Sequence, residues 1–290
     1  MTLSVIIVNY HSLNYLRDCI NSLYNVISSC NFEVIVINNS PEENISEISS
    51  GRNNVKIYEN TNSGFASACN LGAVNSDGNY LLFLNPDTTI VNDDFENVIK
   101  IYEQLDAGSF GFKILNPDLT LQLSFGEEIN IKGEFRNKKL EKYFKDRNSD
   151  IIEKIEMQYS EITPVDWVSG AALFLSRFVF NKVKGFDERF FMYYEDSDLC
   201  KRISLGGNKN YYYPFLKVIH HKGENTNNDF INSNYYFSKQ SQLLYYKIHR
   251  SGFELLKLRL YLFLKFSFSY LTSFKTVYLK IILLVAGLKK

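Results

Sequence analysis

Residues 3–8 (LSVIIV) form an apolar, β-branched run, the pattern of a strand buried on both faces. Leu13, Leu16, Ile20, Leu23 and Ile27 then recur at helical spacing over residues 12–28. Residues 33–37 (EVIVI) predict a second buried strand, stopped by Asn38-Asn39-Ser40-Pro41. A short third strand is expected at 55–58 and a helix at 64–75, behind a glycine-containing turn. A fourth strand at 80–84 (YLLFL) ends at Asn85-Pro86-Asp87, and a helix at 92–105 follows. Strands alternating with helices predict right-handed βαβ units and an α/β fold, a mostly parallel sheet flanked by helices. In such sheets ligands gather at the carboxyl ends of the strands, here Asn9-Tyr10, Asn38-Asn39 and Asn85-Pro86-Asp87.

Beyond this unit the pattern is looser. Residues 108–123 predict two strands about an Asn116-Pro117-Asp118 turn, and the polar, poorly periodic stretch 126–160 a surface insertion with a helix. Residues 165–175 are an apolar strand region containing Ser169-Gly170, 195–204 a helix, and 211–220 an extended segment. After Glu254 the character changes: residues 255–290 hold Lys257, Arg259, Lys265, Lys275, Lys280, Lys289 and Lys290 and no acid. Wound as one helix at roughly 100° per residue, the chain from Lys265 on separates two arcs. Lys265, Ser269, Thr272, Ser273, Lys275, Thr276 and Lys280 share one; Phe266, Tyr270, Leu271, Phe274, Val277, Tyr278, Ile281, Ile282 and Val285 are on the other, and Phe268, Leu279 and Leu283 break the pattern. A basic, aromatic amphipathic helix predicts peripheral contact with an anionic membrane. The competing reading is a helix packed on its own domain or on a second subunit of a homo-oligomer.

Composition narrows the classes. At 290 residues the chain can bury a core without staples. Its 32 basic and 32 acidic residues cancel, which excludes a general nucleic-acid binder with its basic field. Cys19, Cys30, Cys69 and Cys200 form no CxxC pair and read as small core residues. The first residues carry neither a basic n-region nor a small-residue cleavage site, so a cytoplasmic location is expected, at the inner face of the cell membrane if the tail binds lipid. No stretch of 18 uncharged apolar residues predicts a spanning helix.

Four clusters carry candidate chemistry. Asp87, after a buried strand and a proline, is either a turn or capping residue or an oxygen ligand for a divalent cation on a diphosphate. Glu195, Asp196 and Asp198 open a helix behind Met192-Tyr193-Tyr194. Acids favour a first turn through capping and the helix dipole, and Asp198 can pair with Arg202; a carboxylate there can also act as general base toward a sugar hydroxyl. His220-His221 end an apolar strand, where a neutral imidazole can join a carboxylate on a metal. Asn62-Ser63-Gly64-Phe65 opens a helix that also carries Asn70, as an ordinary turn or a site of close backbone approach to an anion.

Taken in order, SVIIVNYHS (4–12), VIVINNS (34–40), ENTNSGFASACNLG (59–72), YLLFLNPDT (80–88), VDWVSGAALFLSR (165–177), GFDERFFMYYEDSDLCKRI (185–203) and VIHHKGENT (218–226) resemble the family-2 inverting glycosyltransferases of the GT-A fold, in their rhamnosyltransferase-like branch. The resemblance spans roughly residues 3–226. It implies that Asn85-Pro86-Asp87 stands at the metal motif with Asp87 the retained ligand, that Asp196 of the Glu195-Asp196 pair is the catalytic base, and that His220 is the downstream metal-binding histidine, with His221 one residue out of register. It further implies that Asn9, Tyr10, Asn38, Asn39 and the segment from Asn62 through Gly64 and Phe65 to Asn70 line the donor, and that Trp167, Ser169, Gly170 and Glu195 form the wall at the donor sugar and acceptor. One position departs: where the family commonly has aspartate to hold a pyrimidine N3–H, this chain has Asn38, whose amide oxygen can accept that bond without charge assistance.

The expected organisation is therefore a glycosyltransferase domain at 1–226 and a helical C-terminal region at 227–290. The implied activity is metal-dependent (Mg2+ or Mn2+) inverting transfer of a sugar from a nucleotide donor to a glycan or lipid-linked acceptor in surface polysaccharide synthesis. dTDP-rhamnose leads as donor; UDP-galactose or UDP-N-acetylglucosamine is the alternative. A sugar-nucleotide pyrophosphorylase would want a Gly-rich basic loop after the first strand, and residues 9–18 contain no glycine. A non-catalytic sugar- or lipid-binding relative is opposed by Asp87, Asp196 and His220 standing together.

Overall fold

The computed structural model describes residues 2–146, 148–221 and 228–288, and at 145 and 228–231 the backbone alone. β1 (Thr2–Asn9), β2 (Asn31–Asn38), β3 (Val55–Glu59) and β4 (Tyr80–Leu84) are parallel neighbours in the order β3-β2-β1-β4. The aliphatic runs of β1, β2 and β4 are buried on both faces, so both sides must be covered, while β3 (VKIYE) is the half-exposed edge. α1 (Leu13–Val26) buries Leu16, Ile20 and Leu23, and α2 (Phe65–Val74) packs on β1 and β2. Gly72 makes that packing close, since a Cβ there would stand 2.4 Å from Ile6 Cγ2.

The second half of the sheet is mixed. β5 (Thr88–Ile90) and α3 (Phe95–Gln104) precede β6 (Ser109–Leu115) and the short β7 (Phe125–Gly126). The insertion holds two helices, α4 (Ile131–Lys145) and α5 (Ser149–Gln158), separated at Asn148, whose side chain caps the second. β8 (Thr163–Val165), β9 (Trp167–Val168) and β10 (Ala172–Ser176) divide the apolar region read as one strand, and α6 (Arg177–Lys182) follows. α7 (Glu195–Leu205) and β11 (Asn210–His220) complete the α/β unit. The sheet runs β3-β2-β1-β4-β10-β6-β11-β5, with β8 also on β11. β10 is antiparallel to β4 and β6, and β5 is antiparallel to β11.

The two strands expected within 108–123 reduce to β6 plus a single bridge between Leu115 and Leu121. The Asn116 side chain donates to the Thr120 carbonyl and hydroxyl, so the turn closes on itself and leaves no second strand.

The C-terminal region is helical, as expected, but not one helix. α8 (Asn228–His249) leads to α9 (Gly252–Ser273) and α10 (Thr276–Val285), with Phe274 in the left-handed region at φ 53° between the last two. That break invalidates the continuous wheel drawn from Lys265. Phe266, Val277, Ile281 and Val285, placed on its outward arc, are buried together with Leu258, Leu262 and Tyr246 in a second core. This core also includes Ile129 and Phe190 from the first part of the chain. Residues 222–226 of the last motif, the 226/227 boundary, and Lys289 and Lys290 lie outside the described residues. Among the described residues no helix is long and apolar enough to cross a membrane.

Candidate active site

Strand pairing joins residues far apart in the chain. β5 begins directly after Asp87 and pairs with the end of β11, so that His220 lies opposite Thr88. His220 Nε2 thereby comes to 3.2 Å from Asp87 Oδ1, each side chain about one-seventh exposed (14%). The other ring nitrogen, Nδ1, is 2.7 Å from Gln122 Oε1. A carboxamide oxygen can only accept, so Nδ1 carries the proton there and a neutral ring keeps its Nε2 lone pair for the Asp87 side. His221 follows on the other face of the strand, its Nε2 3.2 Å from Thr89 Oγ1 and its ring beside Tyr15. Asp87 and His220 thus offer one oxygen and one nitrogen, a donor set that Mg2+ or Mn2+ accepts. Among the described residues no third His, Cys, Asp or Glu completes a cluster with them.

The acid cluster sits on strained backbone. Tyr193 and Tyr194 both take positive φ, 70° and 66°, and Tyr194 is the residue capping α7. Two successive non-glycine residues in that region cost of order 1–3 kcal/mol each and persist where surrounding contacts impose them. Here the Tyr194 hydroxyl donates to Glu134 Oε1 at 2.9 Å, and Ser241 Oγ donates to the Met192 carbonyl at 2.8 Å. The insertion and α8 together therefore fix the turn that launches α7.

Asp196, half-buried, accepts from the Gly170 N–H at 2.9 Å through Oδ2 and from the Ser197 N–H and hydroxyl through Oδ1. Burial raises its pKa, while those donors favour the carboxylate. Glu195 is 6% exposed with Oε2 unpartnered, and burial, then the nearby Asp196, pushes its pKa well above the usual range. Asp198 has a different occupation: fully buried, it pairs with Arg202 at 2.7 Å and His249 of α8 at 2.7 Å. The Arg202 pair is the one its i,i+4 spacing predicts; the His249 contact is long-range and sequence spacing gave no sign of it.

A backbone path connects the two halves. Asn85 N–H donates to the Ala171 carbonyl at 3.0 Å, next to Gly170 and its bond to Asp196. The loop that holds Asp196 through Gly170 is thereby tied to the end of β4, two residues before Asp87. Ser169 belongs to this loop, its hydroxyl accepting from Ala171 N–H. Trp167 packs its ring over Gly126 and donates from Nε1 to the Glu127 carbonyl.

The amides expected to line the donor are largely engaged with one another. Asn9 donates to Asn38 Oδ1 at 3.0 Å and to Glu43 Oε2 at 2.8 Å, leaving its own Oδ1 buried without a partner. Asn38 is fully buried; its oxygen accepts from Asn9 and Ser40, and its NH2 group donates to Glu59 at 2.8 Å. Asn39 accepts from Asn60 and donates to Asn62, whose oxygen accepts from Gly64 N–H. Tyr10 stands exposed at the strand end. Gly64 has φ 104°, and a Cβ there would fall 2.5 Å from the Phe191 carbonyl oxygen, the group that Phe65 N–H donates to. Asn70 holds Phe186 through both backbone groups and also donates to Glu188. The Asn62–Asn70 segment thus braces the chain that leads into the acid cluster. Gln122, Glu43 and Glu59 were not singled out by the sequence, since nothing in their spacing marks them.

Residues 4–160, more than half of the chain, match the family described as Glycosyl transferase family 2. Rhamnosyltransferase WbbL of Escherichia coli K12 is 33% identical over 153 residues, 50% of this chain and 53% of that protein. The N-acetylglucosaminyl-diphospho-decaprenol L-rhamnosyltransferase of Mycobacterium tuberculosis is 47% identical over 66 residues, 23% of this chain and 22% of that protein. The matched segments thus span less than two thirds of those relatives. The structure of GalNAc-T7 with UDP, GalNAc and Mn2+ superposes with a TM-score of 0.59 at 13% identity, covering 84% of this chain and 50% of that chain. That likeness bears on the fold alone and agrees with the GT-A expectation. By its sequence match and its fold, the chain belongs to glycosyl transferase family 2.

Proposed function

We propose that this protein is an inverting glycosyltransferase that moves a sugar from a nucleoside diphosphate donor to a hydroxyl of a glycan or lipid-linked acceptor. The observation that carries this reading is the meeting of Asp87 and His220 at 3.2 Å, at the end of the strand tied through Ala171 to the loop that holds Asp196. Mg2+ or Mn2+ held by Asp87 and His220 would supply charge neutralisation for the departing diphosphate. Asp196 accepts the proton of the acceptor hydroxyl as its oxygen bonds to the anomeric carbon, while the bond to the diphosphate breaks and its electrons leave with that group. The anomeric centre inverts in this one displacement. The Gly170 and Ser197 donors hold the Asp196 carboxylate in place, and the unpartnered Glu195 carboxyl lies beside it at the acceptor wall. Tyr10, exposed at the end of β1, offers a face for the nucleobase.

dTDP-rhamnose is the donor proposed, on the strength of two rhamnosyltransferases among the relatives. UDP-galactose and UDP-N-acetylglucosamine are the competing donors. The test is a panel of nucleotide sugars incubated with the protein and Mn2+, with release of nucleoside diphosphate as readout. Turnover of dTDP-rhamnose above the UDP-sugars supports the donor. Turnover of a UDP-sugar alone replaces it, and no turnover of any donor rejects the enzyme reading.

A further inference from the structure

α9 is apolar on two opposite faces. At roughly 100° per residue, Leu258, Leu262 and Phe266 fall on one side, and these are buried in the second core. Phe253, Leu256, Leu260, Leu264, Phe268 and Leu271 fall on the other, and each of these is 59–70% exposed. A helix apolar all round is normally enclosed. Here one face is enclosed by α8 and α10, and the second is a continuous exposed stripe along the helix. So large an apolar strip on a chain of this size marks a surface that meets something else.

The charges beside the stripe identify what it meets. From residue 255 to 288 the chain carries Lys257, Arg259, Lys265, Lys275 and Lys280 and no acid. Lys257 falls within the stripe's arc, between Leu264 and Phe268, with its ammonium 4.2 Å from the Phe253 ring centre, the arrangement of a side chain whose stem follows an apolar surface while its head stays polar. α4 continues the same character. Its Phe135 ring meets Tyr261 of α9 at 5.5 Å, and Lys138 sits 5.1 Å over the Tyr261 ring. Lys132, Lys139 and Lys142 of α4 are exposed beside one exposed acid, Glu141, while its other acid, Glu134, is taken up by Tyr194 and Gln242, so the helix face remains net basic. Two copies of this chain docked through the stripe would bring like charges together, whereas an anionic leaflet complements them.

We propose that α9 lies in the plane of an anionic lipid surface, its Phe253–Leu271 stripe in the apolar boundary and the lysines of α9 and α4 at the headgroups. Of the arc that the sequence alone assigned to lipid, Leu271 belongs to this stripe, whereas Phe266 lies on the buried face. α8, packed on α9, also holds Met192 through Ser241 and Asp198 through His249, so the same helix that backs α9 braces the acid cluster. The inference does not depend on which sugar is transferred.

The test is co-sedimentation of the full chain with phosphatidylglycerol–phosphatidylcholine vesicles and with phosphatidylcholine vesicles, at low and high salt. The wild-type protein should pellet with the anionic vesicles and lose binding as salt rises. The L260E/L264E/F268E variant, changed only at exposed positions, should bind at least about tenfold less. The K257Q/K265Q variant, which keeps the stripe intact, should lose salt sensitivity along with affinity for the anionic vesicles. Equal pelleting of the wild type and the triple variant overturns the proposal. So does a wild-type dimer in lipid-free buffer that the triple substitution dissociates, with no vesicle binding by either protein. Because the readout is lipid binding, its failure is distinct from failure of the glycosyltransfer reading.

Discussion

His220 and Asp87 stand 3.2 Å apart because β5, three residues long, pairs with the last residues of β11. The contact is made at strand ends, outside the apolar core, so removing the carboxylate takes little from the fold. Asp87→Ala should therefore abolish metal-dependent donor turnover while leaving the melting temperature nearly unchanged. Full turnover in Asp87→Ala, or in excess chelator, would remove the metal from the mechanism.

Gln122 fixes the tautomer of His220 by accepting from Nδ1 at 2.7 Å. A partner of this kind orients the ring and is typically worth 10–100-fold, of order, in metal affinity. Gln122→Leu should raise the Mn2+ concentration needed for half-maximal activity by about that factor. Turnover at saturating Mn2+ should change little. An unchanged Mn2+ titration would show that Gln122 serves the turn at Asn116 alone, to which it also donates at 2.9 Å.

Asp196 and Asp198 are two residues apart and differ in every contact. Asp196→Asn keeps the Gly170 contact geometry and removes the base, so turnover should fall on the order of 10²–10⁴-fold with donor binding little changed. Asp198→Asn leaves Arg202 and His249 facing a neutral amide in a buried network, and loss of a buried ionic partner costs about 3–5 kcal/mol. Its signature should be a lowered unfolding midpoint with milder loss of turnover. Urea denaturation beside single-turnover kinetics separates the two, and an inactive but stable Asp198→Asn would move the base assignment.

How much of this was legible depended on the range of the interaction. The β1, β2 and β4 runs and the acid cluster at the start of α7 are local patterns, and they appear where the residues place them. β5 is too short to show alternation, and its pairing with β11 is a long-range event, so Asp87 and His220 could be joined only through resemblance. Gln122 fell in a stretch read as strand, where a carboxamide carries no signal. Asn38 is a donor contact only by resemblance, and its bonds to Asn9 and Ser40 are long-range or turn contacts that no spacing announces. The break at Phe274 is set by a left-handed residue between Ser273 and Lys275, with neither glycine nor proline to announce it. A wheel drawn through that break put buried side chains on the lipid side.

Gly64 is required by geometry more than by chemistry. Its φ of 104° is disfavoured for any side chain, and a Cβ would lie 2.5 Å from the backbone oxygen of Phe191. That backbone cannot yield without moving Phe65 N–H, which donates to the same oxygen at 2.8 Å, and with it the chain entering the acid cluster. Gly64→Ala should destabilise the protein by more than the roughly 1 kcal/mol of an ordinary glycine replacement and lower turnover together with stability. Wild-type stability in thermal unfolding would mean that the turn relaxes freely.

Glu195 gives the pH dependence. Burial, reinforced by the charge on Asp196, raises its folded-state pKa well above the ordinary glutamate value, and in the unfolded chain that value is restored. Between the two, the folded protein holds a proton that the unfolded chain has released. Folding then takes up a proton, so stability falls as pH rises through this window, by up to about 1.4 kcal/mol per pH unit for one group. Below the unfolded value both states are protonated and the effect is absent. Glu195→Gln keeps the shape and cannot ionise, so it should match the wild type in acid and become the more stable protein as pH rises above the ordinary carboxylate range. Urea unfolding of both proteins across a pH series measures the difference directly. Parallel stability curves would mean that Glu195 ionises in the folded chain as readily as in water, which its burial and its unpartnered oxygen oppose.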